Sequence, residues 1–181
     1  MAACVGSLLL GAAGCTAPSP SEPAPTSNPP TVAPVFASDE EALAAATEAY
    51  GKYVETADLI INEGGTEPER IVRYTSGELA QTEMQSFESL QREGLRGIGT
   101  SEFSNLSIQT FTPDAPDGQA ILTAYVCSDV SGTDIVDSGG HSMLAPERNP
   151  KTPFLVVFDL NSQGNRLVVS GESVWEGSGV C

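Results

Sequence analysis

The side chains of this chain best suited to chemistry are its four cysteines, and the most telling is Cys15, which follows Leu8-Leu9-Leu10-Gly11-Ala12-Ala13-Gly14. An apolar stretch ending in small residues lets a signal peptidase hold the chain extended in a narrow site. A thiol just beyond the cleaved bond can then accept diacylglycerol. Residues 1–14 therefore read as a lipoprotein signal peptide and Cys15 as the point of lipid attachment. The apolar stretch from Val5 to Gly14 is shorter than the roughly 20 residues that a membrane-spanning helix needs. The start Met1-Ala2-Ala3-Cys4 carries no Lys or Arg, which predicts a start codon upstream. Cleavage removes Cys4 and lipidation occupies Cys15, leaving Cys127 and Cys181. Two thiols in an oxidising compartment predict one disulfide, stabilising by about 2 to 4 kcal/mol.

Other reactive residues form weaker patterns. His141 is the single histidine and follows Gly139-Gly140, a loop setting in which a solvated ring is expected. The segment from Asp129 to Asp134, with Asp137 beyond it, gathers oxygen ligands around Gly132 but lacks the ordered spacing and final Glu of a calcium loop. One histidine and two distant cysteines make no zinc pattern, and Gly94, Gly97 and Gly99 lack the lysine of a phosphate loop. No catalytic residue, metal or cofactor is assigned on these grounds. The net charge of -16, with only 8 Lys and Arg, argues against a nucleic-acid partner. It would also repel an anionic membrane surface, so attachment must come from the lipid, whose two acyl chains anchor stably.

These residues need elements to place them. Residues 15–38 carry seven prolines among Ala, Ser and Thr after the lipidated Cys. Such a linker buries no core and reads as a disordered spacer, spanning up to about 70 Å if extended. The folded domain is expected over residues 39–181. Ser38-Asp39-Glu40-Glu41 is a capping box that opens a helix. Its apolar face runs through Leu43, Ala46, Tyr50, Tyr53, Val54, Ala57, Ile60 and Ile61, and Gly64-Gly65 ends it. Thr66-Glu67-Pro68-Glu69 begins a short second helix with Ile71, Val72 and Tyr74. Thr75 to Glu78 opens a third with Leu79, Glu83, Phe87 and Leu90, capped by Gly94.

From residue 96 the period shifts to 2, predicting strands at 96–100, 103–112, 120–129, 153–160 and 166–175. Asp117-Gly118 and Gln163-Gly164-Asn165 supply turn chemistry. Residues 135–144 read as a protruding small hairpin or loop. Several strands are apolar on both faces, with Ile121 and Tyr125 opposite Leu122 and Val126, and Leu155 and Val157 opposite Phe154, Val156 and Phe158. Either the sheet curls around a core or its outer face meets a partner.

The segment before Cys15 resembles the bacterial lipobox. Three N-terminal helices followed by an antiparallel meander resemble the NTF2-like, or SnoaL-like, α+β cone. The segments Ala44 to Tyr53, Pro68-Glu69-Arg70-Ile71, Tyr125-Val126-Cys127 and Trp175 to Cys181 are similar to those of small actinobacterial-type lipoproteins, and the preference for Arg over Lys agrees with such a genome. The resemblance implies a conical cavity for which Tyr50, Phe87, Tyr125 and Trp175 are the lining candidates, with Gly171 at a bend of the last strand. It implies a lipid-anchored protein on the extracytoplasmic face of the cell membrane, binding a small apolar ligand or an envelope protein without turnover. A homodimer through the outer sheet face is compatible with this. The alternative is a small isomerase, dehydratase or hydrolase working inside the cone, with a Tyr and a buried carboxylate as its acid–base pair.

Overall fold

The computed structural model describes residues 35–116 and 119–181. The expected signal peptide, Cys15, most of the expected linker and the expected turn at Asp117-Gly118 lie outside the described residues. Helix α1 runs Asp39–Asn62. Ser38 Oγ accepts the Glu41 N–H at 3.2 Å, and the Glu41 carboxylate reaches back to the Ala37 N–H at 2.8 Å, one residue further than a capping box requires. The buried stripe is Ala42, Ala46, Tyr50, Tyr53 and Ile60. Two small alanines begin this stripe and two tyrosines follow them.

Gly64 and Gly65 end α1 with φ of 71° and 78°, and the Gly65 N–H returns to the Ile60 carbonyl at 2.8 Å. A Cβ on Gly65 would collide with the backbone carbonyl of Phe87. Gly65→Ala therefore adds a clash to a left-handed conformation and is expected to cost roughly 2 kcal/mol or more. Chemical denaturation would show this as an earlier midpoint at unchanged slope, and an unshifted midpoint would contradict it.

The short second helix is a 3-10 helix, Pro68–Arg73. Six residues are too few for α-helical hydrogen bonding to compensate its ends. Only Ile71 is fully buried there, and Val72 points outward. Helix α2, Gly77–Glu93, has Ser76 rather than Thr75 at its N-cap position, and Ser76 makes no side-chain cap there. Thr75 is instead buried, its hydroxyl donating to the Ile71 carbonyl at 2.9 Å while its backbone bridges Val169 in parallel. Gly94 closes α2 in the left-handed conformation, as its position predicts.

Among the described residues the strands are β1 (Arg96–Gly99), β2 (Glu102–Phe111), β3 (Leu122–Asp129), β4 (Thr133–Val136), β5 (Lys151–Leu160) and β6 (Leu167–Val174). A four-stranded sheet has the order β2-β3-β5-β6, and β1 pairs with β4 in a second sheet of two. The segment read as a small hairpin or loop takes in the end of β4, which pairs antiparallel to β1, and Val136 bridges Ser142 antiparallel, as a small hairpin does. The result is the NTF2-like α+β arrangement, with N-terminal helices packed on an antiparallel sheet. Leu122, Ala124 and Val126 of β3 pair with Phe158, Val156 and Phe154 of β5 on the helix-facing side. Together with Leu167 and Val169 they form the core under α1 and α2.

Strand β6 is irregular. Phe158 pairs with Val169 but Val157 pairs with Gly171, so Ser170 is an extra residue. This is a β-bulge, and it reverses the alternation of the strand beyond it. Glu172, opposite the buried Val156, therefore shares the helix-facing side with Val169. Gly171 itself has ordinary space, since a Cβ there would meet Val157 at 3.5 Å. The break in the strand's regularity lies at Ser170 rather than at the glycine.

Candidate functional site

The bulge and two helices bring four polar side chains together on the concave side of the sheet. Tyr50 and Tyr53, three residues apart, share one face of α1. The Tyr50 hydroxyl donates to Glu172 Oε1 at 2.7 Å, and the Tyr53 hydroxyl donates to Glu83 Oε1 at 2.8 Å. The rings are 5.8 Å apart, and Phe103 stands edge-on to Tyr50 at 5.0 Å. Both tyrosines are buried, at 2 % and 6 % exposure, and both glutamates are half-buried.

The charges of this cluster act on one another. Burial pushes the Glu83 and Glu172 carboxyls above the usual carboxylate range, against the lowering effect of the phenol that each accepts. The nearby charge of Glu83 pushes Glu172 up further. Burial, reinforced by both carboxylates, pushes the two phenols far above the ordinary tyrosine value. Each phenol therefore remains a donor and each carboxyl an acceptor. Such a set can hold or pass a proton, but its donors are already directed at its acceptors.

Of the candidate lining residues, Tyr50 belongs to this cluster. Phe87, at 3 % exposure, is part of the core. Tyr125 and Trp175 are not on the concave side. Tyr125 pairs with Leu155 on the opposite face of the sheet from Ala124 and Val126, and Trp175 packs on it at 4.8 Å between ring centres. The alternation of β3 leaves no choice once its neighbours face the core. The concave side is filled rather than open: Ala42, Ala46 and Ile60 of α1 and Val156 and Phe158 of β5 all have 0 % exposure.

Cys127 lies on that outer face too, bonded to Cys181, with their Cα atoms 5.1 Å apart. The bridge folds the tail back over the sheet, where Val180 is buried and its carbonyl accepts from Asn105 Nδ2 at 3.0 Å. An apolar outer face is thus covered in part by the chain's own end. His141 is apart from all of this, exposed and 3.2 Å from Asp137. Asp129 is held well below its usual range, at about 2, by hydrogen bonds from Ser131 and by Lys151. Asp134 accepts from Ser142, so these oxygens have local partners. Among the described residues, no group of three or more His, Cys, Asp or Glu side chains is placed to hold a metal.

Glu83 and Glu172 were not singled out by sequence. The signal for Glu83 is a charge on an apolar stripe, between Leu79 and Phe87 at helical spacing. Glu172 had no such signal, because strict alternation from Leu167 and Val169 places it on the outer face.

No family model matches the chain, and no curated protein sequence matches it. Solved structures do resemble it. The intermembrane space region of the chloroplast protein ARC6 is 13% identical, over 73% of this chain and 95% of that one, with a TM-score of 0.51. A protein from Catenulispora acidiphila is 15% identical over 74% and 93% of the two chains, with a TM-score of 0.44. CagV, a VirB8 homolog of the type IV secretion system of Helicobacter pylori strain 26695, is 15% identical over 74% and 97%, with a TM-score of 0.38. At such identities the likeness is one of fold.

Proposed function

We propose that this chain is a membrane-anchored extracytoplasmic lipoprotein, cleaved after Gly14, lipidated on Cys15 and spaced from the membrane by residues 15–38. Its domain over residues 39–181 binds a small ligand or an envelope protein and does not turn it over. The observation that carries the binding reading is the filled concave side. A cone whose floor is occupied by Ala46, Tyr50 and Phe158 offers its outer surfaces, not an interior, to other molecules. The Cys127–Cys181 bridge supports an oxidising compartment. A region of the same fold in ARC6 is described as lying in an intermembrane space, which agrees with work outside the cytoplasm.

Mass spectrometry of the protein purified from its own membrane tests this reading. The expected species begins at Cys15, carries a diacylglycerol and has no free thiol. A chain that retains residues 1–14 and an unmodified Cys15 would overturn the anchoring. A homodimer through the outer face remains part of the proposal, since Tyr125, Leu155 and Val157 give that face apolar side chains. Solution mass measurement decides it.

The acid–base cluster favours a second reading, an isomerase, dehydratase or hydrolase with Glu83 or Glu172 as the base. A substrate would have to displace a phenol from a carboxylate to reach it. A turnover that disappears in Glu172→Gln while the fold persists would establish that reading in place of the first.

A further inference from the structure

In a chain with 24 acidic residues, two arginines converge on one ring. The guanidinium of Arg73 lies 5.9 Å, and that of Arg166 5.5 Å, from the centre of the Tyr74 ring. Arg166 Nη2 also donates to the Arg73 carbonyl at 2.9 Å, which brings the two cationic side chains to one place. The ion pairs among the described residues involve Lys52, Arg70, His141 and Lys151, and neither Arg73 nor Arg166 takes part. Glu48 lines a neighbouring groove with Arg166 but forms no ion pair with it, so two cations around one ring, neither within ion-pair distance of a carboxylate, make a local positive field in a protein whose overall field is negative.

Both arginines line a groove of about 520 Å³ between the 3-10 helix, the start of α2 and the β5–β6 turn. The N-terminus of the 17-residue helix α2 opens into the same groove through Ser76 and Gly77. Ser76 makes no side-chain cap, so the first-turn amides have no side-chain oxygen before them. The Ser76 hydroxyl oxygen is itself buried and without a hydrogen-bond partner. A buried hydroxyl left unpaired costs stability, and a ligand oxygen at this helix end would satisfy it. Gly77 has φ of 58° and open space where a Cβ would stand, so the backbone is approachable. Glu78 is exposed and does not line the groove, while Asp159 lines a neighbouring one.

We propose that this groove binds the terminal phosphate of a small phosphate monoester. A planar carboxylate is satisfied by one guanidinium fork. Two guanidiniums and a helix N-terminus offer donors from several directions, which suits an oxyanion with three terminal oxygens. Val72, Met84, Leu160 and Val168 line one part of the wall and Gln81, Asn161, Ser162 and Gln163 another, so the ester's body is part apolar and part polar. The site gives the binding domain proposed above a ligand class, and it rests on that reading; lipidation at Cys15 can fail without touching it, and the reverse.

The test is titration of the full, isotope-labelled chain with phenyl phosphate, followed by nuclear magnetic resonance, with phosphatidic acid vesicles as the second arm. Saturable shifts at Arg73, Ser76, Gly77 and Gln81 are expected. The dissociation constant should rise about ten-fold or more in R73Q/R166Q, as for loss of a charge-assisted contact. S76A removes a hydroxyl that has no partner in the fold and should weaken binding without unfolding the chain. R92Q, at the far end of α2, should bind as the parent does. Vesicle binding that is lost in R73Q/R166Q keeps the groove and names a lipid headgroup as the source. The proposal is overturned by the absence of saturable shifts at millimolar phenyl phosphate in the parent chain. Equal binding by R73Q/R166Q, or an equal loss in R92Q, also overturns it.

Discussion

Raising the pH above about 10 is expected to unfold this domain steeply, because Tyr50 and Tyr53 keep their protons only while the fold holds them. Ionising either phenol in place would set a phenolate against a carboxylate oxygen 2.7 or 2.8 Å away, in a buried setting. The folded-state pKa of both groups is raised above the unfolded value of 10.0. Their contribution is thus complete below that value and is lost as pH rises past it. The loss from the pair approaches about 3 kcal/mol per pH unit. Denaturant melts between about pH 9 and pH 11, read beside phenolate absorbance, would show unfolding and ionisation of these two rings together. Ionisation of all four tyrosines in a domain that stays folded would contradict the packing described here.

The glutamates of the same cluster act at the opposite end of the scale. Their folded-state pKa values are raised above 4.5, so burying them charged lowers stability at neutral pH. That penalty is relieved as pH falls through their folded values. Asp129, lowered to about 2, works the other way: its contribution is present above 3.8 and is lost as pH falls towards 2. Mild acid should therefore favour the fold before stronger acid disfavours it.

Opening the Cys127–Cys181 bridge is the second large effect. The loop it closes spans 54 residues, and losing it through Cys127→Ser with Cys181→Ser is expected to cost about 2 to 4 kcal/mol. For a domain of this size that lowers Tm by roughly 10 °C. The tail then leaves the outer face, and Trp175, the only tryptophan, loses its cover from Gly177. Its fluorescence should shift to the red together with the change in melting. An unchanged Tm and an unchanged emission spectrum after reduction would show that the bridge clamps nothing.

Much of the fold is legible in the sequence because its signals are local. The cap at Ser38, the stripe from Ala46 to Ile60 and the glycine ends of both long helices are written within a few residues of where they act. Strand β4 is not, since Thr133-Asp134-Ile135-Val136 is short and half polar, and only pairing with β1 makes it a strand. The short second helix is legible as a helix from its start signature, but that signature is shared by α- and 3-10 helices. Which face of a two-sided strand meets the helices is a tertiary choice. Tyr125 and Trp175 are lining candidates by the resemblance to the cone, yet they share the outer face with Cys127. The candidate cluster was half visible: Tyr50 and Tyr53 follow from the helix period, and Glu83 interrupts an apolar stripe. Glu172 reaches the cluster only through the extra residue at Ser170, which no periodicity announces.

That extra residue also says how this strand can change length over generations of related chains. Val169 already faces Phe158, and Gly171 and Glu172 already face Val157 and Val156, so losing Ser170 alone would leave a continuous ladder with every neighbour on its present side. A deletion elsewhere between Leu167 and Glu172 would force the bulge to absorb the change. Ser170 is therefore the position at which β6 can shorten without turning a carboxylate out of the domain, at the cost of the kink that now ends the strand's regular course.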